Sequence, residues 1–373
     1  MTVHTVRGLN RSLLALPKAP VRIVHLGLGA FHRSHQAWYT HHARDAGQWG
    51  IAAFTGRRPD AAEALRAQDG LFTLIERSDT GDRFEVIGSI AEAVDGRDLA
   101  RLDDLVAAPT TAIVTLTITE AAYQVDAEVT ANRTAAGAGP QPGTPATPLG
   151  RLVRALAARR AAGAGPLAVV CCDNLADNAA VARNAIKRLA DSVDTGLARW
   201  IEGNVSFVGT SVDRITPRTT PEDLAEVRES CGFDDGSAVV AEPFHSWVLS
   251  GDFPAGRPRW EDAGAVFVDD IAPYENRKLW LLNGAHSLLA YAGQLRGHAT
   301  VAEALADPLC RSAVAAFWDE ASAHLHGEGL DIAAYRGALL TRFGNARIAH
   351  HLSQIAADGT TKLRMRARSA LST

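Results

Sequence analysis

Val21-Arg22-Ile23-Val24-His25-Leu26-Gly27-Leu28-Gly29-Ala30-Phe31-His32-Arg33 is the stretch on which the fold turns. A short apolar run stops at two glycines, so it reads as a buried strand entering a tight turn, with a helix over 30–44. Gly27 permits the turn. Gly29 lets the backbone approach a pyrophosphate seated at the helix N-terminus. Phe31 and Arg33 complete the candidate cofactor set, Arg33 as a charge-assisted partner for phosphate. His32 stands where the dinucleotide fingerprint has its third glycine, so the generic match is partial. On the turn alone, a plain strand–turn–helix is an equally good reading.

The surroundings favour the nucleotide reading. A second strand is expected over 51–55 and a helix over 59–67. Strands over 72–76 and 84–90 are joined by the hairpin signal Asp79-Thr80-Gly81-Asp82. Another buried strand covers 112–119, and a Gly-, Pro-, Ala- and Thr-rich surface loop covers 135–147. Leu149, Leu152, Val153 and Leu156 keep amphipathic-helix spacing. Strand 167–172 delivers Asp173-Asn174, a helix follows over 176–191, and strand 205–212 delivers Asp213-Arg214. Strands alternating with helices predict an α/β, Rossmann-like N-terminal domain with a parallel-rich sheet. Beyond Pro273 the pattern turns helical, over 275–292, 301–306, 311–324 and 332–341. The expected domains are therefore 1–270, dinucleotide-binding, and 271–373, helical and catalytic.

After the second strand come Thr55-Gly56-Arg57-Arg58-Pro59-Asp60. A carboxylate here suits the ribose hydroxyls of NAD, and an arginine suits the extra phosphate of NADP. Asp60 is late and the arginines read equally well as solvated loop charges, so this segment leaves NAD and NADP open.

Composition narrows the function classes. The 373 residues are 47% hydrophobic and 21% charged, with a net charge of −4. That balance gives no reason to expect nucleic acid or an anionic membrane surface as partner. No apolar run is long enough for a membrane span, and the N-terminal one is too short for a signal-peptide core, so a cytoplasmic protein is expected. Cys171 and Cys172 adjoin while Cys231 and Cys310 stand apart; all four read as buried small apolar residues, without a disulfide framework. His32, His35, His41 and His42 cluster without a metal-ligand pattern and read as a solvated helix face; no metal is expected.

The second informative segment is Lys278-Leu-Trp-Leu-Leu-Asn283-Gly-Ala-His286. In a helix turning about 100° per residue, Lys278, Asn283 and His286 fall within an arc of roughly 140°, with His286 between the others. A base and two hydrogen-bonding side chains then converge on one small molecule. Each residue also has a plainer reading. Glu275 and Lys278 suit a surface helix pair, and Asn174 suits the cap of a helix starting near Ala176. His286 suits a hydrogen-bonded helix residue, and Asp213-Arg214 a local ion pair. Glu120 is either a site acid or a strand-end charge.

Six segments in order, HLGLGAFHRSHQA (25–37), TLTITEAAY (115–123), CCDNLADN (171–178), VDRITP (212–217), the 278–286 segment and IAADGTTK (355–362), resemble the long-chain polyol dehydrogenases. This is the family of mannitol 2-dehydrogenase and fructuronate reductase. The resemblance implies an NAD(P)-dependent, metal-free oxidoreductase, NAD being the leaning, that interconverts a ketose or ketouronate and its alcohol at carbon 2. It implies Lys278 as acid and base, and Asn174 and Asn283 as holders of the substrate oxygen. His286 and Asp213 position substrate, and Glu275 belongs to the proton path. Apart from the resemblance, Lys362, Arg364 and Arg366 offer positive charge for a substrate carboxylate. The partners expected are small sugar alcohols, aldonates or ketoses.

The sequence departs from the family pattern in places. Thr373 comes early, so the helical domain is expected to be incomplete. Ala346 replaces the proline usual in the Phe-x-Asn-Pro turn. Gln354 stands where polyol-oxidising members tend to carry Arg, which tilts the reading toward a uronate; simple electrostatics favours Arg for a carboxylate. The competing function is a catalytically weak nucleotide-binding protein. Oligomeric state is left open.

Overall fold

A computed structural model of the chain describes residues 7–136, 145–348 and 350–357. Lys362, Arg364, Arg366 and the end of the 355–362 motif lie outside the described residues, as does most of the loop expected over 135–147. The chain forms two compact units. The first holds 1–75, 83–241 and 245–269; the second holds 76–82, 242–244 and 270–373.

The first unit is built on an eight-stranded sheet of Val21–Leu26 (β1), Gly50–Phe54 (β2), Ile90–Val94 (β3), Ile113–Leu116 (β4), Leu167–Cys171 (β5), Val205–Asp213 (β6), Ser246–Ser250 (β7) and Val266–Phe267 (β8). The spatial order is β8-β7-β6-β5-β4-β1-β2-β3. Strands β3 through β6 are mutually parallel, and β7 runs antiparallel to β6. The run 3-2-1-4-5-6 is the Rossmann order, and it reverses between β1 and β4.

Both faces of this sheet are covered, which is why its strands read as continuous apolar runs. Alternation divides them between two cores. Val24, Leu26, Phe54, Val114, Leu116, Val169 and Cys171 pack with helices Leu99–Ala107, Pro148–Ala161, Asn178–Val193 and Thr195–Asn204 on one side. Ile23, Ile51, Ile113, Val170, Cys172, Trp247 and Trp260 fill the other.

Several expectations need correction. Ile90 does not end the hairpin, which is Phe72–Ser78 with Gly81–Ile87, but begins β3. The strands β7 and β8 and the helices Leu99–Ala107 and Asp126–Ala136 were not legible in the sequence pattern. The helix after the first turn is not a plain α-helix: Ala30–His32 and Trp38–His42 flank a π-turn over Arg33–Ala37. Cys171, Cys172 and Cys310 are buried as expected, but Cys231 is half-buried.

The second unit is helical. Its helices include Ala272–Arg277, Ala285–Leu295, Val301–Ala306, Pro308–Ser322 and Ile332–Gly344. Thr300 and Glu303 close a capping box at the start of Val301–Ala306, each satisfying a backbone N–H of the first turn. Glu242 and Arg342 form a bidentate ion pair at 2.6 and 2.9 Å.

Candidate active site

In the first unit, the candidate cofactor residues lie at the carboxyl ends of β1, β2 and β4, where the strand order reverses. A cleft of about 530 Å³ opens there, lined among others by Gly27, Leu28, Thr55, Arg57, Thr117 and Thr119. Open α/β sheets bind ligands in this crevice. Gly27 has φ +113, and a Cβ there meets the Thr117 carbonyl oxygen at 2.0 Å, so neither the turn nor the strand spacing admits a side chain. A Cβ on Gly29 meets only the Gly27 oxygen, at 3.6 Å, which leaves the open backbone a pyrophosphate cradle requires. Gly29 also N-caps the helix that begins at Ala30. These features fit a dinucleotide.

The missing third glycine has a structural substitute. That glycine ordinarily permits close helix–strand packing. Here the His32 ring stacks on His25 of β1, centroids 3.4 Å apart and 9° from parallel. A flat ring in face contact brings helix and strand together where a bulkier shape does not. His25 is held by the hydroxyls of Thr115 and Thr117, at 2.7 and 3.0 Å. Burial lowers the His25 pKa to about 3 and that of His32 well below the usual value. The solvated histidine face expected from the sequence is thus overturned. His32 and His35 are fully buried and His41 and His42 partly so, because the π-turn rolls this face inward.

Arg33 does not present a free guanidinium to a phosphate. It donates to the Ser237 and Gly29 carbonyls and lies over the Phe72 ring at 5.8 Å. Phe31 stacks on His35 at 5.0 Å. Arg57 is exposed at the cleft, while Asp60 sits at the start of its helix paired with Arg58 at 2.6 Å.

Asn174 is exposed on the loop after β5 and does not cap the following helix. That helix starts at Asn178 with Asp177 as cap. The neighbouring Asp173 is the feature that sequence reasoning missed. Its carboxylate accepts from the Ile118 and Thr119 amides and the Tyr123 hydroxyl, at 3.1, 2.9 and 2.7 Å. Burial raises its pKa, and these three donors pull it back. Asp213 ends β6 opposite Ser246. Arg214 donates to the Ser34 carbonyl at 2.7 Å. Glu120 is exposed at the start of the single turn Glu120–Tyr123.

In the second unit, Lys278, Asn283 and His286 lie on one helical run. Lys278–Gly284 is wound as a π-helix between Ala272–Arg277 and Ala285–Leu295. This corrects the uniform α-helical spacing expected for Lys278, Asn283 and His286. A π-turn closes i→i+5, one residue more than an α-turn, so Lys278 and Asn283 take the relation of i and i+4 on an α-helix, about 40° apart, rather than the two ends of a wide arc. Two contacts sustain the widened turn. The Trp318 indole donates to the Leu281 carbonyl at 2.8 Å. Gly284 leaves room for the Phe317 ring, which a Cβ would meet at 2.6 Å.

His286 packs against the Phe343 ring at 4.5 Å and meets His350 edge-on at 4.8 Å, so its ring plane is fixed from two sides. Arg277 does not lie free beside Lys278; it donates to the Leu330 carbonyl and rests on the Tyr335 ring at 4.3 Å. Glu275 is in the preceding helix, three residues before Lys278. No group of metal-ligating residues occurs among the described residues. None of their helices is long and apolar enough to cross a membrane.

Comparison with known proteins gives a consistent result. Residues 21–262 match the mannitol dehydrogenase Rossmann domain, and residues 270–371 the mannitol dehydrogenase C-terminal domain. D-mannonate oxidoreductase of Escherichia coli is 41% identical over 360 residues, which are 92% of this chain and 74% of that relative. Mannitol 2-dehydrogenase of Cereibacter sphaeroides is 37% identical over 91% of this chain and 73% of its own length. Among solved structures, the Pseudomonas fluorescens mannitol 2-dehydrogenase ternary complex with NAD and D-mannitol superposes with a TM-score of 0.84 at 36% identity. It covers 98% of this chain and 79% of that one. Substrate-free D-sorbitol dehydrogenase gives a TM-score of 0.89 at 30% identity, with 98% and 80% covered.

Proposed function

The chain belongs to the mannitol dehydrogenase family, and on that premise we propose that it is an NAD-dependent dehydrogenase that interconverts a ketose or ketouronate and its alcohol at carbon 2. The fructuronate/mannonate pair is the first substrate to test and fructose/mannitol the second. Gln354 and the 41% identity to a D-mannonate oxidoreductase support that order. The protein works on small molecules in the cytoplasm.

The observation that carries this reading is the placement of Lys278 and Asn283 one π-turn apart in a chain that also holds the Gly27–Gly29 cleft. Bound nicotinamide supplies the hydride acceptor or donor. Oxidation of a secondary alcohol also requires loss of its hydroxyl proton, and Lys278 is the group that takes it and returns it in reduction. Asn283 and Asn174 donate amide hydrogens to the developing oxyanion without adding a titrating group. His286, its ring fixed by Phe343 and His350, orients a substrate hydroxyl, and Asp213 does the same from the end of β6. Glu275 passes the Lys278 proton to water. Lys362 contributes positive charge toward substrate.

Nucleotide binding without turnover is the less favoured reading, since the similarity to dehydrogenases runs over 91–92% of the chain. The deciding experiment follows absorbance of the reduced nicotinamide with NADH or NADPH and each ketose, for the parent and Lys278→Ala. Parent turnover that the variant loses, with dinucleotide binding retained, supports the proposal. Equal turnover removes Lys278 from the chemistry. Saturable binding without turnover in the parent favours the alternative.

A further inference from the structure

We propose that Asp173 is a positioning residue that ties the cofactor-side loop after β4 to the loop that carries Asn174, so that dinucleotide binding and placement of the substrate oxygen depend on one carboxylate. The inference rests on the function proposed above.

The geometry is specific. Asp173 is 8% exposed and follows β5 directly. Its Oδ1 accepts from the Thr119 amide, and its Oδ2 accepts from the Ile118 amide and the Tyr123 hydroxyl. Thr119 has φ +74 and ψ 153, a conformation that a β-branched residue adopts only when its surroundings impose it. The amides of Ile118 and Thr119 on one side and the Tyr123 hydroxyl on the other all donate to the Asp173 carboxylate, which holds the chain on both sides of that residue. Thr117, Ile118 and Thr119 all line the cleft.

The same residue fixes the other loop. The Asp173 carbonyl accepts from the Leu175 amide at 2.9 Å, closing a tight turn around Asn174. It also accepts from the Asn178 side chain at 3.1 Å. Asn178 is itself clamped to Thr210 of β6 through both of its amide atoms, at 2.7 and 3.0 Å. Side chain and main chain of Asp173 thus hold two loops from adjacent parallel strands in one register. A residue that only fills space would carry neither the strained Thr119 nor the turn at Asn174.

The test compares Asp173→Asn, Tyr123→Phe and Asn174→Ala in the full chain, below the melting temperature of each. Dinucleotide dissociation constants come from NADH fluorescence, and kcat and KM from the ketose assay. Amide exchange at 118 and 119 is read without ligand. Asp173→Asn is expected to raise the NADH dissociation constant and lower kcat, each by about tenfold, because a displaced loop misplaces both reactants. Tyr123→Phe is expected to move both in the same direction by about two- to threefold, since it removes one of the three donors. Asn174→Ala is expected to lower kcat alone. Exchange at Ile118 and Thr119 speeds up in the first two variants.

An Asp173→Asn protein that binds NADH as tightly as the parent, or that loses kcat with unaltered loop exchange, overturns the inference and leaves the functional reading intact. If Asp173→Asn does not fold, unchanged NADH affinity and exchange in Tyr123→Phe have the same force. A parent that binds no dinucleotide overturns the functional reading, and the inference with it.

Discussion

The imidazoles of His25 and His32 lie face to face, 3.4 Å between centroids, at the point where the first strand and its helix come closest. Neither ring tolerates a proton there. Burial lowers His25 to about 3 and acts on His32 in the same direction, as it does on His35, to about 3, and on His245, to about 4. In the unfolded chain these groups titrate near pH 6.5. Below that the unfolded state binds more protons than the folded one, so stability falls as pH falls from about 6.5 toward 4. His42 is raised and opposes the trend, but His41 and His350 are lowered as well, so it is one histidine against six. Urea midpoints measured from pH 7.5 to 5 are expected to drop steadily. A flat profile across that range is incompatible with buried neutral histidines.

Three glycines separate folding from cofactor binding. Gly27→Ala forces a Cβ against the Thr117 carbonyl in a backbone conformation that L-residues avoid, and it is expected to lower the melting temperature and abolish NADH binding. Gly29→Ala has room within the protein, so it folds normally, yet it fills the pyrophosphate cradle and weakens NADH by about tenfold or more. Gly56→Ala, with nothing within 4 Å, leaves the fold unchanged. Melting curves paired with fluorescence titrations separate the three; normal NADH affinity in Gly29→Ala would falsify the cradle.

The π-turn is testable through the contact that sustains it. Trp318→Phe removes the indole donor to the Leu281 carbonyl and lets the run return to α-helical winding at unchanged length. Asn283 then rotates by about 100° relative to Lys278. Helical content measured by circular dichroism is expected to persist while kcat falls by about a hundredfold. Retained turnover in the folded variant removes the π-geometry from the mechanism.

Glu242 and Arg342 are each 3% exposed and joined by two hydrogen bonds. The Arg342 guanidinium also lies 4.1 Å over the Phe244 ring. Removing one partner strands a buried charge, at a cost of about 3–5 kcal/mol. Arg342→Met is therefore expected to be strongly destabilising. Glu242→Leu combined with Arg342→Met restores much of the loss, because no unpaired charge remains. Additive losses in denaturant melts would show that the two charges act separately.

Short-range pattern in the chain encodes one part of this architecture. The run 21–26, the glycines at 27 and 29 and the buried strands at 113–116, 167–171 and 205–213 announce themselves by apolar runs and turn residues. They carry the parallel sheet and the position of its cleft. The Lys278, Asn283 and His286 set was legible as residue types on one helical run. Tertiary structure decided the rest. β7 and β8 are short strands with no periodic signal; β7 exists because β6 offers it a partner, and β8 because β7 does. The π-turn over 278–284 follows the same sequence rules as an α-helix until the Phe317 ring against Gly284 and the Trp318 bond to Leu281 widen it. His32 looked polar and solvated until the helix face rolled onto β1. Asp173 looked like a residue beside Asn174, yet its three donors come from a loop 50 to 55 positions away. In each case the deciding energy is a packing contact or hydrogen bond between residues distant in sequence, which local spacing does not record.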